Sequence, residues 1–452
     1  MPTSERLVVI GADAAGMSAA SQAKRNHPAF TVRAFDQSPF ASFSLCGIPY
    51  YVGGLVANAH QLIARTPQQF EIGQGIQVKL RHVVEAIDLA RRRVQVRSLE
   101  DGRTVMEPFD ALLIATGAVP IYPVVNGIGS SGIYTVNTLQ QGLDLRDTLD
   151  HNPPKHVVIV GAGAIGLEMA ENLIARGIDV SVVELAAQVL PPLDPDMAVL
   201  VAQALEAMGV RLYLNEGLQG FDTQSGRVTA VITPQRTLPA DLVILGLGVR
   251  PNAALAADAG LALGEKGAIQ VSDRMQTSGE GVWAAGDCVA SRHVVSGQPV
   301  YVALGTVANK QGRVAGINIA GGNAIFPGVA GTAITKVQLT EIARTGLQTT
   351  DFARLPLDGV SVTIQDSTKA RYYPGAEPMT VKLFAEKGTG RILGGQIVGG
   401  GGAAKRIDVI VTALYAGMTI DQLVNLDLAY APPFSPTWDP LLVAARALLR
   451  RV

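Results

Sequence analysis

The sequence predicts an α/β fold with two Rossmann-like dinucleotide-binding domains followed by a C-terminal α+β domain. A length of 452 residues exceeds what one hydrophobic core usually organises. A pattern of strand, glycine turn and helix occurs twice, and from about Phe326 the chain changes to alternating apolar residues and then a helical stretch. The 48% hydrophobic and 17% charged residues, with 49 glycines, are typical of buried parallel strands joined by tight turns.

The first unit starts with an apolar run, Leu7 to Ile10, that predicts a strand, and an alanine-rich helical segment follows its glycine turn. Gly11 and Gly16 occupy the outer positions of a GxGxxG motif, but Asp13 stands at the middle position. Asp36 lies 20 residues beyond Gly16 (36 minus 16), at the distance where an acid binds ribose hydroxyls. The unit therefore predicts a dinucleotide site, although a solvated loop carboxylate would also explain Asp36.

The second unit carries a complete GxGxxG motif, in which Gly161, Gly163 and Gly166 directly follow a predicted strand. A glycine turn that merely packs a helix is the alternative. Glu184 lies 18 residues beyond Gly166 (184 minus 166), where it can bind both ribose hydroxyls and repel a 2′-phosphate. Residues 185–188 offer no cation, which favours NADH while leaving NADPH open. Two dinucleotide sites in one chain indicate FAD and a nicotinamide cofactor that exchange hydride.

The segment SFSLCGIPYYVGG contains Cys46, one of only two cysteines. Pro49 predicts a short helix beginning just after Cys46, whose dipole would lower the thiol pKa and favour a thiolate. A lone cysteine is also often a small buried hydrophobe, so the local pattern leaves both interpretations open. Nothing near Cys288 in the sequence would activate it, and we expect a structural role. The two cysteines are too far apart for a CxxC pair, so any thiol chemistry uses one cysteine at a time.

A polar stripe is predicted on the helix after the first glycine turn. Ser18, Gln22 and Arg25 fall at positions i, i+4 and i+7 of an otherwise alanine-rich surface. Contact with solvent is the ordinary explanation for such a stripe. It would instead be the wall of a ligand site if the helix bordered Cys46.

Composition and charge bear on partners and location. The formal net charge of -1 lacks the basic excess that attracts nucleic acid or anionic membranes, so we expect neither as a partner. The N-terminal sequence shows no charged leader, and no apolar run is long enough to span a bilayer, from which we expect a cytoplasmic protein. The six histidines show no metal-ligand spacing, so no metal site is predicted.

The order of motifs along the whole chain is more specific than any one of them. After the first glycine turn come SFSxCGxPYY, LLIATGAxP, GAGxIGxExAE, AAGDC and a C-terminal YAPPFSPxWDP. This succession resembles the pyridine nucleotide-disulfide oxidoreductase superfamily, and within it the single-cysteine branch of coenzyme A disulfide reductases, NADH oxidases, NADH peroxidases and CoA-persulfide reductases. The resemblance implies an FAD-binding domain in two parts (1–120 and 245–325), an NAD-binding domain (121–244) and a C-terminal α+β dimerisation domain (326–452).

The resemblance also implies roles for individual residues. FAD would be bound by residues around the first glycine turn and after later strands, namely Gly11, Ala15, Gly16, Asp36, Ala115, Thr116, Gly117 and Asp287. NADH would be bound by Gly161, Gly163, Gly166 and Glu184. Cys46 would lie over the flavin and form a mixed disulfide with coenzyme A, which would be contacted by Ser18, Gln22, Arg25 and Ser42. The catalytic tyrosines, Tyr430 and Tyr372, with Tyr373 as a rival for the second, would approach Cys46 from the partner subunit of a homodimer.

We therefore expect an FAD-dependent NAD(P)H oxidoreductase that reduces CoA disulfide, or a related CoA-linked disulfide or persulfide, through Cys46. The alternatives are an NADH oxidase that reduces oxygen through a Cys46 sulfenic acid, and a flavoprotein electron-transfer reductase without disulfide chemistry. Ala14 replaces the histidine base of the peroxidases and related oxidases, which weighs against peroxide. Leu45 replaces an asparagine that some CoA disulfide reductases carry before the cysteine. No sulfurtransferase domain follows before Val452, which weighs against persulfide.

Overall fold

The computed structural model describes residues 5–452 and has the predicted class of fold. The prediction of a leader-free N-terminus partly concerns residues 1–4, which lie outside the described residues. The strands are β1 (Arg6–Ile10), β2 (Thr31–Phe35), β3 (Ile76–Lys79), β4 (His82–Asp88), β5 (Arg93–Ser98), β6 (Thr104–Pro108), β7 (Ala111–Ile114), β8 (Ala118–Pro120), β9 (Ile133–Tyr134), β10 (His156–Val160), β11 (Asp179–Val183), β12 (Arg211–Tyr213), β13 (Gly220–Gln224), β14 (Arg227–Ile232), β15 (Thr237–Pro239), β16 (Leu242–Leu245), β17 (Val249–Pro251), β18 (Val282–Ala284), β19 (Ser291–Arg292), β20 (Pro299–Val300), β21 (Ala333–Val337), β22 (Thr340–Gly346), β23 (Gly359–Ser367), β24 (Pro378–Glu386) and β25 (Ile392–Gly399).

The helices connect and cover these strands. They are α1 (Ala14–Asn26), α2 (Ile48–Gly53), α3 (Pro67–Gln74), α4 (Leu139–His151), α5 (Ala164–Ala175), α6 (Pro195–Ala207), α7 (Ala254–Asp258), α8 (Gly305–Ile319), α9 (Thr349–Phe352), α10 (Ile407–Tyr415), α11 (Ile420–Val424) and α12 (Pro440–Leu448). Short 3₁₀ helices cover Leu45–Gly47, Ala59–Leu62, Glu265–Gly267 and Ala404–Arg406. Within residues 5–452, none of the helices has the combined length and apolarity needed to cross a membrane.

The first dinucleotide-binding unit is built on a parallel sheet with the strand order β18, β7, β1, β2, β3. Both faces of this sheet are covered. Leu7 and Val9 of β1 belong to the core under α1 and α8, and the intervening residues face the core shared with the antiparallel strands β4 and β5. The two helices approach closely because Gly312 of α8 has no Cβ, which would lie 2.3 Å from the Ala15 carbonyl oxygen.

The second unit repeats this plan with the parallel order β12, β11, β10, β16, β9. Val157 and Ile159 of β10 pack into the core on one face of the sheet. The opposite face is covered by the antiparallel strands β13, β14 and β15, which contribute Phe221 and Val231 to a second core. Near-continuous apolar strands such as HVVIV are therefore explained by burial on both faces.

The C-terminal domain is an antiparallel sheet with the order β21, β22, β25, β24, β23, against which α10, α11 and α12 pack. Its central strands also meet the start of α6 from the second unit. Lys382 Nζ lies 2.7 Å from the Asp194 carboxylate and 2.7 Å from that of Asp196. Gln396 Oε1 accepts from the Asp194 N–H at 2.9 Å. A buried polar cluster thus joins the C-terminal sheet to the second dinucleotide-binding unit.

The short helix α2 joins the first unit to the second. Ile48 and Val52 are fully buried in the core formed with α4 and α5. The Arg146 and Arg176 guanidinium groups donate to the carbonyl oxygens of Tyr51 and Val52, at 2.6 and 2.9 Å. The segment that carries the exposed cysteine is therefore fixed between the two nucleotide-binding sheets.

Candidate active site

The residues predicted to bind FAD gather at one edge of the first sheet. Gly11 follows β1, Asp36 follows β2, Ala115 follows β7 and Asp287 lies just beyond β18. These strands are parallel neighbours, so their carboxyl ends meet at the same edge, where open α/β sheets bind ligands. The second sheet presents Glu184 at its equivalent edge.

Two glycines in each turn are required by the close approach of backbone atoms. Gly11 has φ +104°, and a Cβ there would lie 2.1 Å from the Ala115 carbonyl oxygen. A Cβ on Gly16 would lie 1.9 Å from the Gly11 carbonyl oxygen. Gly161, with φ +107°, and Gly166, whose Cβ would lie 2.1 Å from the Gly161 carbonyl oxygen, repeat this geometry. The two turns are therefore built alike, although only the second has the complete motif.

The two strand-ending acids occupy equivalent places. Asp36 Oδ2 accepts from the Ala12 N–H at 2.7 Å, and Oδ1 accepts from the N–H two residues further on, at 2.8 Å. Glu184 Oε2 accepts from the Ala162 N–H at 2.7 Å, and its other oxygen accepts from the N–H two residues further on, at 2.8 Å. Each acid thus lies against the glycine turn of its own unit, as the sequence spacing predicts.

Asp287 offers a test of whether the first site suits FAD. Its Oδ1 is buried without a hydrogen-bond partner among the described residues, and burial raises its pKa to about 6. A buried oxygen without a donor is costly, and a ligand hydroxyl such as one on the ribityl chain of FAD would satisfy it. Nearby, Thr116 Oγ1 donates to the Asn252 carbonyl oxygen at 2.6 Å, and Gly117 has φ +68°. The residues present fit the cofactor.

We expect Gly166→Ala to destabilise the second unit by about 3 kcal/mol or more, because the added methyl group would force the glycine turn apart. Gly163→Ala is the matched control, since Gly163 has φ −77° and nothing lies within 4 Å of its Cβ position. The free energy of unfolding of the control should lie within about 0.5 kcal/mol of the wild-type value. Its methyl group would enter the space predicted for the pyrophosphate and raise the KM for NADH roughly tenfold.

Urea unfolding and steady-state kinetics of the two glycine variants check this prediction. Equal free energies of unfolding for Gly166→Ala and Gly163→Ala would contradict it, because close backbone approach would then not constrain the turn.

Cys46 lies in the 3₁₀ turn Leu45–Gly47, directly before α2, which is the predicted short helix. Solvent reaches its side chain in the single chain. The predicted lowering of the thiol pKa is wrong. Desolvation by the surrounding protein raises the pKa of Cys46, and the carboxylates of Glu168, Asp287 and Asp13 raise it further. The helix has only six residues, and its weak dipole does not offset these effects.

Glu168 and Tyr50, for which no role is predicted from the sequence, lie close to Cys46. Glu168 lies on α5, where burial raises its pKa and Oε1 accepts from Thr335 Oγ1 of the C-terminal domain at 3.0 Å. Burial raises the pKa of Tyr50 to about 12, and Glu168 and Glu171 contribute to the rise. Both residues stand inside quoted motifs, GAGxIGxExAE and CGxPYY. Glu168 comes near Cys46 only because α5 packs, in the folded chain, against α2, which directly follows the 3₁₀ turn of Cys46.

A cavity of 370 Å³ brings together all four residues predicted to contact coenzyme A. It is lined by Ala14, Met17, Ser18, Ser21, Gln22, Arg25, Ser42, Ala64, Arg65, Phe70, Asn309 and Arg313. These twelve lining residues include three arginines and no carboxylate. Ser42 lies four residues before Cys46 in the chain. The polar stripe on α1 is therefore a cavity wall, and Arg65 and Arg313 join it from segments that the stripe pattern does not include.

Tyr372 and Tyr430 meet on the surface of the C-terminal domain. The side chain of Tyr430 lies close enough to Tyr372 to raise its pKa. Tyr372 is 77% exposed and Tyr430 48% exposed, and Phe434 and Trp438 add exposed aromatic area to the same domain. This pairing supports Tyr372, rather than Tyr373, as the companion of Tyr430.

Cys288 lies where an inert thiol is expected. It is fully buried, with its sulfur 3.4 Å from the Ala285 carbonyl oxygen and 3.6 Å from that of Ile114. Burial raises its pKa to about 11. Separately, residues 5–452 contain no group of three or more histidine, cysteine or acidic side chains arranged to hold a metal ion.

Two parallel nucleotide-binding sheets, a cysteine held between them and an antiparallel third domain define an oxidoreductase of the two-dinucleotide class. The family described as pyridine nucleotide-disulphide oxidoreductase matches residues 5–312, and its dimerisation domain matches residues 332–441. The chain belongs to this family and is an FAD-dependent oxidoreductase that uses NAD(P)H. The predicted fold class and family are thus confirmed.

Similar proteins are named for different electron acceptors. The NAD(P)H coenzyme A polysulfide/persulfide reductase of Pyrococcus horikoshii is 39% identical over 445 residues, which cover 98% of each chain. The NADH oxidase of Methanocaldococcus jannaschii is 36% identical over 450 residues, 99% of each chain. The structure of reduced Bacillus anthracis CoADR-RHD has a TM-score of 0.96 and 32% identity, covering 99% of this chain and 80% of that one.

One of these relatives bears on the prediction that weighs the sulfurtransferase domain against a persulfide acceptor. The Pyrococcus reductase, named for polysulfide and persulfide, matches this chain over 98% of its own length. A relative named for that acceptor therefore has no room for a long additional domain, and the prediction against persulfide is wrong.

Proposed function

We propose that this protein uses NADH to reduce a disulfide, polysulfide or persulfide linked to coenzyme A, with Cys46 as the reacting thiol. The observation that carries the proposal is the basic cavity that reaches Ser42, on the segment of Cys46. The Pyrococcus relative, with a coenzyme A persulfide in its name, supports the same class of substrate.

The cavity suits the chemistry of coenzyme A. This molecule carries phosphate groups at one end and a thiol on a long flexible arm at the other. Arg25, Arg65 and Arg313 supply guanidinium donors for phosphate oxygens without a carboxylate in the lining to oppose them. Ser18 and Ser42 add hydroxyl groups along the same wall. A ligand bound by its phosphates here would have its arm free to reach the segment of Cys46.

The proposed chemistry at Cys46 is thiol–disulfide exchange. The Cys46 thiolate attacks a CoA disulfide, forms the Cys46–S–S–CoA bond and releases one CoA thiolate. Two electrons and a proton then split the mixed disulfide into CoA thiol and Cys46 thiolate. The sum is NADH, a proton and CoA disulfide giving NAD⁺ and two CoA thiols. Tyr430 and Tyr372, presented by the partner subunit, would donate protons to the departing thiolates.

The two nucleotide sites would supply the electrons. When bound, FAD would supply the hydride exchange with NADH and the transfer of an electron pair to the thiol centre. Asp36 and Asp287 would hold its ribose and ribityl hydroxyls, and Gly11 and Gly16 leave room for its pyrophosphate. Glu184 would bind the ribose of NADH, and we expect a higher kcat/KM for NADH than for NADPH because no cation follows it at 185–188.

A homodimer is part of the proposal. The match to the dimerisation domain covers Tyr372 and Tyr430, and both are exposed in the single chain. A second copy that covers this aromatic surface would bring its tyrosine pair to the first copy's Cys46. The site would then be complete only in the dimer.

The acceptor is tested by anaerobic NADH oxidation with CoA disulfide, CoA persulfide, glutathione disulfide and no acceptor, together with mass spectrometry of the intact protein before and after thiol reduction. We expect turnover with the CoA-linked acceptors and loss of one CoA mass from Cys46. Turnover with glutathione disulfide at the same kcat/KM would contradict the role of the cavity. In a parallel assay under air, fast NADH oxidation without a CoA-linked acceptor would favour an oxidase instead.

A further inference from the structure

The side chain at the middle of the first glycine motif bonds to a different segment of the chain. Asp13 is the N-cap of α1, where an aspartate usually accepts from an N–H of the first turn, yet it makes no such capping bond. Its Oδ1 accepts instead from the backbone N–H of Phe43, at 3.0 Å. The corresponding residue of the second unit, Gly163, has only open space around it. Asp13 thus connects the first glycine turn to the segment that leads to Cys46.

This connection acts on a strained stretch of backbone. Ser42, next to Phe43, has φ +47°, a region that is costly for residues other than glycine. Its N–H donates to the Ala12 carbonyl oxygen at 2.9 Å, and its own carbonyl oxygen accepts from the Ala64 N–H at 2.7 Å. Successive N–H groups of the segment therefore bind residues 12 and 13 of the glycine turn. Loss of either bond would release strain close to Cys46.

Two other carboxylates at the same sheet edge, Asp36 and Asp287, act on Asp13. Burial raises the pKa of Asp13 to about 7, opposed by the hydrogen bond from Phe43, and the carboxylates of Asp36 and Asp287 add to the rise. Asp13 in turn raises the pKa of the Cys46 thiol. The carboxyl group is therefore both a hydrogen-bond acceptor for the segment and a charge that acts on the cysteine.

We propose that Asp13 is a positioning residue, whose carboxyl group fixes residues 42–46 against the glycine turn. The inference rests on the proposed role of Cys46 as the reacting thiol and is independent of which acceptor it serves. A glycine at this position would complete the nucleotide motif but would lose the anchor.

Two substitutions separate the role of the Asp13 oxygen as a hydrogen-bond acceptor from the role of its negative charge. Asp13→Asn keeps an oxygen that can accept from the Phe43 N–H but removes the charge. Asp13→Gly removes both while completing the GxGxxG motif. In hydrogen-exchange mass spectrometry of the flavin-loaded enzyme, we expect the amides of residues 42–46 to exchange about tenfold faster or more in Asp13→Gly and within about twofold of wild type in Asp13→Asn.

The pH dependence of Cys46 alkylation gives a second readout. Glu168→Gln is the control, because Glu168 also raises the pKa of Cys46 but does not bind the segment. We expect Asp13→Asn and Glu168→Gln to shift the alkylation profile to lower pH with an unchanged limiting rate at high pH. Asp13→Gly should also raise the limiting rate, by about tenfold or more as for its amide exchange.

Wild-type exchange at residues 42–46 in Asp13→Gly would overturn the proposal, as would equally fast exchange in Asp13→Asn and Asp13→Gly. Flavin absorbance establishes that the compared samples carry equal cofactor, and Asp13→Ala replaces the glycine variant if that one loses flavin. Neither readout uses an electron acceptor. If the coenzyme A proposal fails, the test of Asp13 remains valid. If Asp13 does not position residues 42–46, the identity of the electron acceptor is unaffected.

Discussion

Cys46→Ser will lower NADH-dependent turnover of a CoA-linked disulfide by about a thousandfold or more. A serine hydroxyl has nearly the size of the thiol but cannot form a mixed disulfide, so the proposed exchange loses its nucleophile. Reduction of bound flavin by NADH should persist, because the glycine turns and Glu184 are unchanged. Steady-state NADH oxidation and stopped-flow flavin absorbance on the same variant separate the two steps.

Cys288→Ala is the matched control for the serine variant, since it removes the chain's other cysteine. The buried thiol donates to two backbone carbonyl oxygens and packs in an apolar core, so we expect a loss of roughly 1 kcal/mol in stability and turnover within about twofold of wild type. Full turnover in Cys46→Ser, or an equal loss in Cys288→Ala, would contradict the role assigned to Cys46.

Lys382→Met will lower the free energy of unfolding by about 3–5 kcal/mol, the range observed when one partner of a buried ion pair is removed. The side chains of Lys382 and Asp194 are only 10% and 2% exposed, with Nζ 2.7 Å from the carboxylate. The variant would leave the Asp194 charge buried at the junction between the second unit and the C-terminal sheet. Lys405→Met is the control, because Lys405 and Asp408 are 73% and 56% exposed. We expect it to cost about 0.5 kcal/mol or less.

The effect of Lys382→Met should depend on pH in a defined direction. Burial alone would raise the pKa of Asp194, but hydrogen bonds from Lys382 and Thr349 leave it below its ordinary value. Such a group contributes stability above its unfolded pKa of about 3.9 and loses that contribution as the pH falls through the folded pKa. Urea unfolding should give the largest difference from wild type near pH 8. The difference should narrow as the pH falls, because the Asp194 carboxyl group without Lys382 takes up a proton at a higher pH than in wild type. A difference that grows in acid would contradict this account.

Much of the fold could be predicted because its signals are local. The apolar run at 7–10, the paired glycine motifs and the alternation after Phe326 all lie within short windows and correspond to strands and turns of the structure. Sheet membership is different, because it depends on distant segments. Strand β18, at 282–284, pairs with β7, at 111–114, and no local sequence pattern predicts that pairing.

The candidate site was predictable where one motif holds the residue and not where several elements meet. The helical spacing of Ser18, Gln22 and Arg25 identified one wall of the cavity, but Arg313 reaches it from α8, which packs against α1. The pKa of Cys46 was predicted in the wrong direction because the helix lies beside it in sequence. The groups that raise it, Glu168 above all, lie beside it only in space.

The central claim, that Cys46 is a redox centre in electron exchange with the flavin, is tested most directly by anaerobic titration with NADH. A thiol centre isolated as a mixed disulfide and a flavin each take two electrons, so we predict about two equivalents of NADH per subunit for full reduction of wild type. Cys46→Ser should need about one. Wild type is first treated with CoA disulfide, so that Cys46 starts as the mixed disulfide. If wild type and Cys46→Ser then each consumed about one equivalent of NADH, the claim would be contradicted.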